Sequence, residues 1–219
     1  MSQNMKRAKI KWAIFFSGGG RCANDCLNLL VENNFDHHYI DCIVTSGQKT
    51  ENIKNFEKHH IEVINRNPKS YSSIEEYQIW LSKVLKERNI DYLFLLGYKY
   101  KIRTTLLDTF RNRILNIHPS LLPAFKNTQS AIQDAIRLGV KVSGVTTHII
   151  DDKIDEGIII DQEPVRLNHT DTFSEIDIVY NEAGKVLIER TLSFVYANHD
   201  RVNYLQNYFD IQEGLPDSA

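Results

Sequence analysis

The stretch Lys11-Trp12-Ala13-Ile14-Phe15-Phe16-Ser17-Gly18-Gly19-Gly20-Arg21 decides how the chain is read. A short apolar run stops at a serine and three glycines, the punctuation of a strand entering a tight turn. Cys22–Asn33 follows, with Cys22, Cys26, Leu29, Leu30 and Asn33 at helical spacing. Strand, glycine turn and helix make the first half of a βαβ unit. Downstream the alternation continues. Strands are predicted at Ile40–Thr45, Ile61–Ile64, Asp91–Leu96 and Arg113–Ile117, and helices at Glu51–His60, Ser73–Asn89 and Thr104–Phe110. Ile74, Tyr77, Leu81, Val84 and Leu85 share one helix face. Such a series folds economically as an α/β protein: an open, mostly parallel, Rossmann-like twisted sheet with flanking helices.

After residue 118 the texture changes. Pro119–Asn127 reads as a loop and Gln129–Leu138 as a helix ended by Gly139. Val142–Ile150 and Ile158–Val165 are rich in β-formers and flank the acidic turn Asp151–Gly157, and Phe173–Tyr196 is a long helix. The second half is therefore β–α. We expect a single domain over residues 11–210, an N-terminal extension over 1–10 and a C-terminal tail over 211–219.

Composition narrows the function classes. The chain has 219 residues, 42% hydrophobic and 25% charged, which is ordinary globular usage. A net charge of -2 argues against nucleic-acid binding through surface charge. No apolar run approaches the roughly 20 residues that cross a bilayer. Residues 1–11 are basic but lack a signal peptide's apolar stretch, so a cytoplasmic, membrane-free setting is expected. Three cysteines, at 22, 26 and 42, fit reduced thiols rather than a disulfide framework.

Three places carry candidate chemistry. The turn Gly18-Gly19-Gly20-Arg21-Cys22 lies before a helix, where backbone N–H groups and the helix's positive end can cradle an anion. Gly18-x-Gly20-x-x-Ala23 also fits a loose dinucleotide fingerprint, but the second strand ends Val44-Thr45-Ser46 without the ribose-holding acid. A tight turn with no ligand is the third option. Next, Asn116-Ile117-His118-Pro119 sits at the carboxyl end of the fifth strand, the edge where open sheets bind ligands. Positions two apart on a strand share a face, so an amide donor and an imidazole point the same way, an arrangement suited to acyl transfer. Otherwise His118 is a hydrogen-bonded core residue. Third, Asp151–Gly157 is either a solvated acidic turn or the source of a carboxylate beside His118. No spacing of histidines and carboxylates suggests a metal site, and the adjacent pairs His37-His38 and His59-His60 do not converge on one ion.

The run Asn116–Phe125 resembles the folate-dependent formyltransferases, in particular the glycinamide ribonucleotide formyltransferases. The likeness extends through Gly139–His148 and Asp155–Val165 and is traceable from Lys11 to Phe194. It implies N-formyl transfer from 10-formyltetrahydrofolate to an amine, with no metal. It assigns catalysis to Asn116, His118 and Asp155. It places the folate against Gly97, Tyr98, Lys99, Tyr100, Lys101 and Ile102, and against Ile150, Asp151 and Asp152. It puts the acceptor at Gly18, Gly19, Gly20, Arg21, Cys22 and Pro119, with Glu182 on the ribose hydroxyls. The implied acceptor is glycinamide ribonucleotide, within purine biosynthesis. An amino-sugar nucleotide and an inactive folate- or nucleotide-binding relative are the alternatives, and a monomer or homodimer is expected. Two departures lie on the acceptor side. The family's Gly-Ser-Asn reads Gly20-Arg21-Cys22 here, and its Pro-Gly reads Lys126-Asn127. Arg21 is expected to compensate on the acceptor's phosphate.

Overall fold

The computed structural model describes residues 9–32, 35–47, 51–168 and 170–199. Its elements run β1 (Ile10–Phe16), α1 (Arg21–Glu32), β2 (His38–Thr45), α2 (Glu51–Lys58), β3 (Glu62–Asn65), α3 (Ile74–Glu87), β4 (Tyr92–Leu95), α4 (Thr104–Thr109), β5 (Ile114–His118), α5 (Ala131–Arg137), β6 (Val142–Ile149), β7 (Ile159–Arg166) and α6 (Phe173–Asn198). The seven strands form one sheet in the order β3-β2-β1-β4-β5-β6-β7. β3, β2, β1, β4 and β5 are parallel, β6 runs antiparallel to β5, and β7 runs antiparallel to β6. The open, mostly parallel sheet with flanking helices is thus the fold that the sequence indicates.

Period-two alternation explains the layers. Along β1, Trp12, Ile14 and Phe16 face one side and pack with Ala23 and Cys26 of α1, Phe56 of α2 and Leu192 of α6. Ala13 and Phe15 face the other side, against Tyr77, Leu81 and Leu85 of α3 and Leu106 of α4. Both faces are covered, so β1 is apolar from Trp12 to Phe16, as a buried parallel strand is. A third cluster joins Val145 of β6 and Val165 of β7 to Ala135 of α5 and Tyr180 and Leu187 of α6.

Element ends follow local chemistry. Ser73 caps α3 by accepting from the Glu76 N–H at 3.0 Å, a contact whose loss typically costs about 1 kcal/mol. Thr172 and Glu175 form a reciprocal capping box at the start of α6. α2 stops at Lys58, before the expected His60, because His60 turns left-handed at φ 58°. Ile10 already pairs with His38 and is buried, so β1 opens one residue before the domain boundary drawn at Lys11. A 3-10 turn at Pro68–Ser70, capped by Asn67, was not expected. Asn33 and the 211–219 tail lie outside the described residues.

The chain leaves β1 toward β2 and β3, then returns to build β4 and β5 on its other side. That reversal opens a crevice at the carboxyl ends of β1 and β4. The two strand ends are tied there: Ser17 N–H donates to Gly97 O at 3.0 Å, and Lys99 N–H donates to Ser17 Oγ at 3.1 Å.

Candidate functional site

β5 delivers Asn116 and His118 to the carboxyl edge, and β6 runs beside it in the opposite sense, setting His148 across from Asn116. The turn between β6 and β7 then brings Asp155 back to the same corner. That turn is tight: a Cβ on Gly157 would lie 1.8 Å from Ile149 O, and Asp155 itself is left-handed at φ 56°.

The Asn116 amide donates to His148 Nε2 at 3.0 Å, which leaves its second N–H for another acceptor. His148 is fully buried, and that burial pushes its pKa down to about 4 against the opposing pull of Asp155. It therefore stays neutral and accepting near pH 7 and fixes the amide's orientation. His118 is buried too. Its Nε2 donates to Phe125 O at 3.0 Å, and its Nδ1 lies 3.5 Å from Asp155 Oδ2. That separation is longer than a good hydrogen bond, so the ring nitrogen and the carboxylate face a shared space. Asp155 Oδ2 also accepts from the Asn127 backbone N–H at 2.9 Å.

A cavity of about 590 Å³ opens at this corner. It is lined by Gly97, Tyr98, Lys99, Tyr100, Lys101 and Ile102 after β4, by Asn116, His118 and Pro119, and by Ile150, Asp151, Asp152 and Asp155. Every residue assigned above to catalysis or to the folate lines this one space, together with Thr128 and Gln129 of the following loop.

The first turn stands apart from that lining. Gly20 is left-handed at φ 76°, and a Cβ there would lie 2.8 Å from the Phe16 ring. Asn52 Nδ2 donates to Gly19 O at 2.8 Å and steadies the turn. Arg21 was expected to offer a free fork, but the structure gives that fork a partner. Nη1 and Nη2 lie 2.5 and 2.8 Å from the Asp177 carboxylate of α6. Their hydrogen bonds raise the Arg21 pKa and hold Asp177 below the usual carboxylate range. Burial raises the Cys22 thiol, so it stays protonated at neutral pH. Glu182 is exposed and bridges to Lys185 Nζ at 2.7 Å.

Three groups of the corner were missed in the sequence: His148, the Phe125 carbonyl and the Asn127 N–H. His148 lies within a run that carried the family likeness, but its role comes from antiparallel register, which spacing does not reveal. Among the described residues no cluster of three or more His, Cys, Asp or Glu is arranged to hold a metal.

An open α/β sheet that sets an amide donor, an imidazole and a carboxylate around a cavity at its carboxyl edge defines an enzyme of the group-transfer type. The family comparison makes this particular. The formyl transferase profile matches residues 10–192, and the chain belongs to that family. It is 34% identical over 167 residues to the phosphoribosylglycinamide formyltransferase of Bacillus subtilis (strain 168), covering 76% of this chain and 85% of the relative. The crystal structure of phosphoribosylglycinamide formyltransferase from Bacillus halodurans superposes with a TM-score of 0.82 at 34% identity, over 89% of this chain and 99% of that one. The formyltetrahydrofolate deformylase of Haemophilus influenzae is 31% identical over 132 residues, 60% of this chain and 46% of that protein.

Proposed function

We propose that the protein transfers a formyl group from 10-formyltetrahydrofolate to the primary amine of glycinamide ribonucleotide, a step of purine biosynthesis. The observation that carries this reading is the convergence of Asn116, His118 and Asp155 on the cavity formed with Gly97–Ile102 and Ile150–Asp152. Likeness to the Bacillus enzymes over most of both chains supports the acceptor. Phosphoribosylglycinamide and glycinamide ribonucleotide are the same compound.

The cavity suits the donor. Its volume falls within the range of small-molecule sites. Two loop segments, 97–102 and 150–155, form much of its wall, and exposed Lys99 and Lys101 on one wall suit an anionic tail. When bound, 10-formyltetrahydrofolate supplies an activated formyl carbon. The free N–H of Asn116 donates to the charge that develops on the formyl oxygen as the amine attacks, with the His118 ring facing the same charge. Phe125 O fixes the ring through Nε2. Asp155 takes the proton that the amine sheds and, with water, passes it to the departing folate nitrogen. The bond to the amine nitrogen forms, the bond to the folate nitrogen breaks, and charge balances.

The acceptor's phosphate belongs at the Gly18–Cys22 turn, on the amino end of α1, and Glu182 serves the ribose hydroxyls. This is a small-molecule enzyme of the cytoplasm. No helix among the described residues is long and apolar enough to cross a membrane. The decisive experiment is a formyl-transfer assay with glycinamide ribonucleotide, an amino-sugar nucleotide and no added amine, following release of tetrahydrofolate. Turnover with the glycinamide compound is expected. Turnover only with the amino sugar moves the acceptor, and turnover without any amine makes the enzyme a hydrolase.

A further inference from the structure

The loop after β5 is anchored in two unlike ways. Its first part is built into the sheet: Leu122 N–H donates to Thr146 Oγ1 at 3.0 Å, and Gln162 Nε2 donates to Leu122 O at 3.0 Å. Its last part, Phe125-Lys126-Asn127, is a strap laid across the Asp155 turn. The strap touches both halves of the catalytic pair through its backbone. Phe125 O holds the His118 ring and Asn127 N–H holds the Asp155 carboxylate. It does so from unfavourable conformations. Phe125 and Asn127 are left-handed at φ 56° and 61°, facing a left-handed Asp155. Asn and Asp adopt that region more readily than other side chains, but an aromatic residue such as Phe125 stays there only where its surroundings over-determine it.

Between the two backbone contacts, Lys126 Nζ lies 2.7 Å from Glu156 Oε1, on the residue next to Asp155. The contact holds the Glu156 carboxyl below its usual range. Lys126-Asn127 is the pair of positions where the sequence leaves the family's Pro-Gly. The strap therefore lacks the stiffness of proline and the left-handed ease of glycine. A side-chain tie stands in the same place.

We propose that Lys126 and Glu156 are positioning residues whose ion pair clasps the Phe125–Asn127 strap over the catalytic corner. The proposal rests on the formyl-transfer reading of that corner. With the clasp shut, His118 and Asp155 hold the registration that transfer needs. With the clasp open, both backbone contacts loosen together and the pair spends part of its time misaligned. Neither side chain touches a reacting atom. The effect therefore falls on kcat and spares the KM of donor and acceptor.

The test uses Lys126→Met, Glu156→Gln, both together, and the exchange Lys126→Glu with Glu156→Lys. The pair is about two-fifths exposed, so each single substitution should lower kcat by about threefold. Both KM values should move less than the rate does, and the Met/Gln double variant should be no slower than either single. The exchange should recover most of the rate. The 15N signal of the His118 ring Nε2, hydrogen-bonded in the unliganded wild type, should broaden in the singles and sharpen in the exchange. Unchanged kcat and ring signals in the singles, or an exchange variant as slow as they are, overturn the clasp. The ring signal needs no substrate. A wild type that formylates nothing while its ring signal follows the clasp would defeat the functional reading and leave the clasp standing.

Discussion

The catalytic corner and the first glycine turn stand on either side of the crevice and are built on opposite plans. At the corner, His118 and His148 are buried, Asp155 is nearly so, and the Asn116 amide, the His118 ring and the Asp155 carboxylate are each held by a neighbour before any substrate arrives. At the turn, Gly18, Gly19 and Arg21 are exposed, and the two charged side chains expected to meet the acceptor are occupied by other side chains. On the proposed reading, the chemical side is preorganised, whereas the acceptor side would trade internal contacts for ligand contacts. Preorganised groups act on the transition state, while exchanged contacts mostly set binding.

That contrast is broken most directly at the corner. His118→Ala and Asp155→Asn should each lower kcat by roughly 10²-fold or more with the fold intact. The double variant should be barely slower than the slower single, because the two act as one unit. Single-turnover formyl transfer measures this, and a wild-type rate in either variant removes the pair from the chemistry.

Burial at the corner also has a pH signature. His148 titrates near 4 in the fold against 6.5 ordinarily. Between those values the unfolded chain binds the extra proton, so stability is full above 6.5 and falls as the pH drops toward 4. From pH 7 to 5 this one group should remove about 2 kcal/mol of unfolding free energy. His38 is also pushed down to about 4, by burial first and by His37 and His199 next, and it adds in the same window. Urea unfolding at the two pH values measures the loss, and a flat profile would mean that both rings carry their proton in the fold.

The same contrast explains what was legible in the sequence. The Asn116-x-His118 pair could be read because period two is a local property of one strand. Asp155 could be placed beside it only through family likeness, and the structure supplies the left-handed turn that brings it there. His148 acts through pairing across β5 and β6, and Phe125 and Asn127 act through backbone atoms, which no residue-type pattern encodes. Arg21 was read from its own chemistry, while its partner Asp177 lies 156 positions away on α6. Strand and helix order followed from periodicity, and the misplaced ends, as at His60, are set by single left-handed residues.

Between the two extremes lie the lysines of the cavity wall. Lys99 and Lys101 are exposed, so their charge is screened, and on the proposed reading they would contribute modestly to an anionic folate tail. Lys101→Ala should weaken donor binding by about fivefold at low salt and by less at high salt, with Lys99→Ala weaker still. Fluorescence titration of the folate at two ionic strengths reads this. Salt-independent binding that survives loss of both lysines removes them from the site.

The smallest expected effect tests the acceptor side. The Arg21–Asp177 pair joins the first turn of α1 to α6, with side chains 54% and 32% exposed. A pair so open to water contributes little to stability and is cheap to break. A carboxylate and a phosphate offer the arginine fork the same two-oxygen geometry. On the proposed reading, the acceptor's phosphate would displace Asp177, and the net gain would be the difference between two similar contacts. Arg21→Ala should raise the acceptor's KM by about threefold, because only that difference is lost. Asp177→Asn should lower it by about threefold, since the fork is then free and a nearby negative charge is gone. The folate KM should stay put in both. Opposite signs from the two variants mark Asp177 as a competitor for the fork. A rise in both would mean that Asp177 aims Arg21 at the phosphate, which would make the acceptor side as preorganised as the catalytic corner. No change in either would leave the phosphate to the backbone N–H groups of the glycine turn alone.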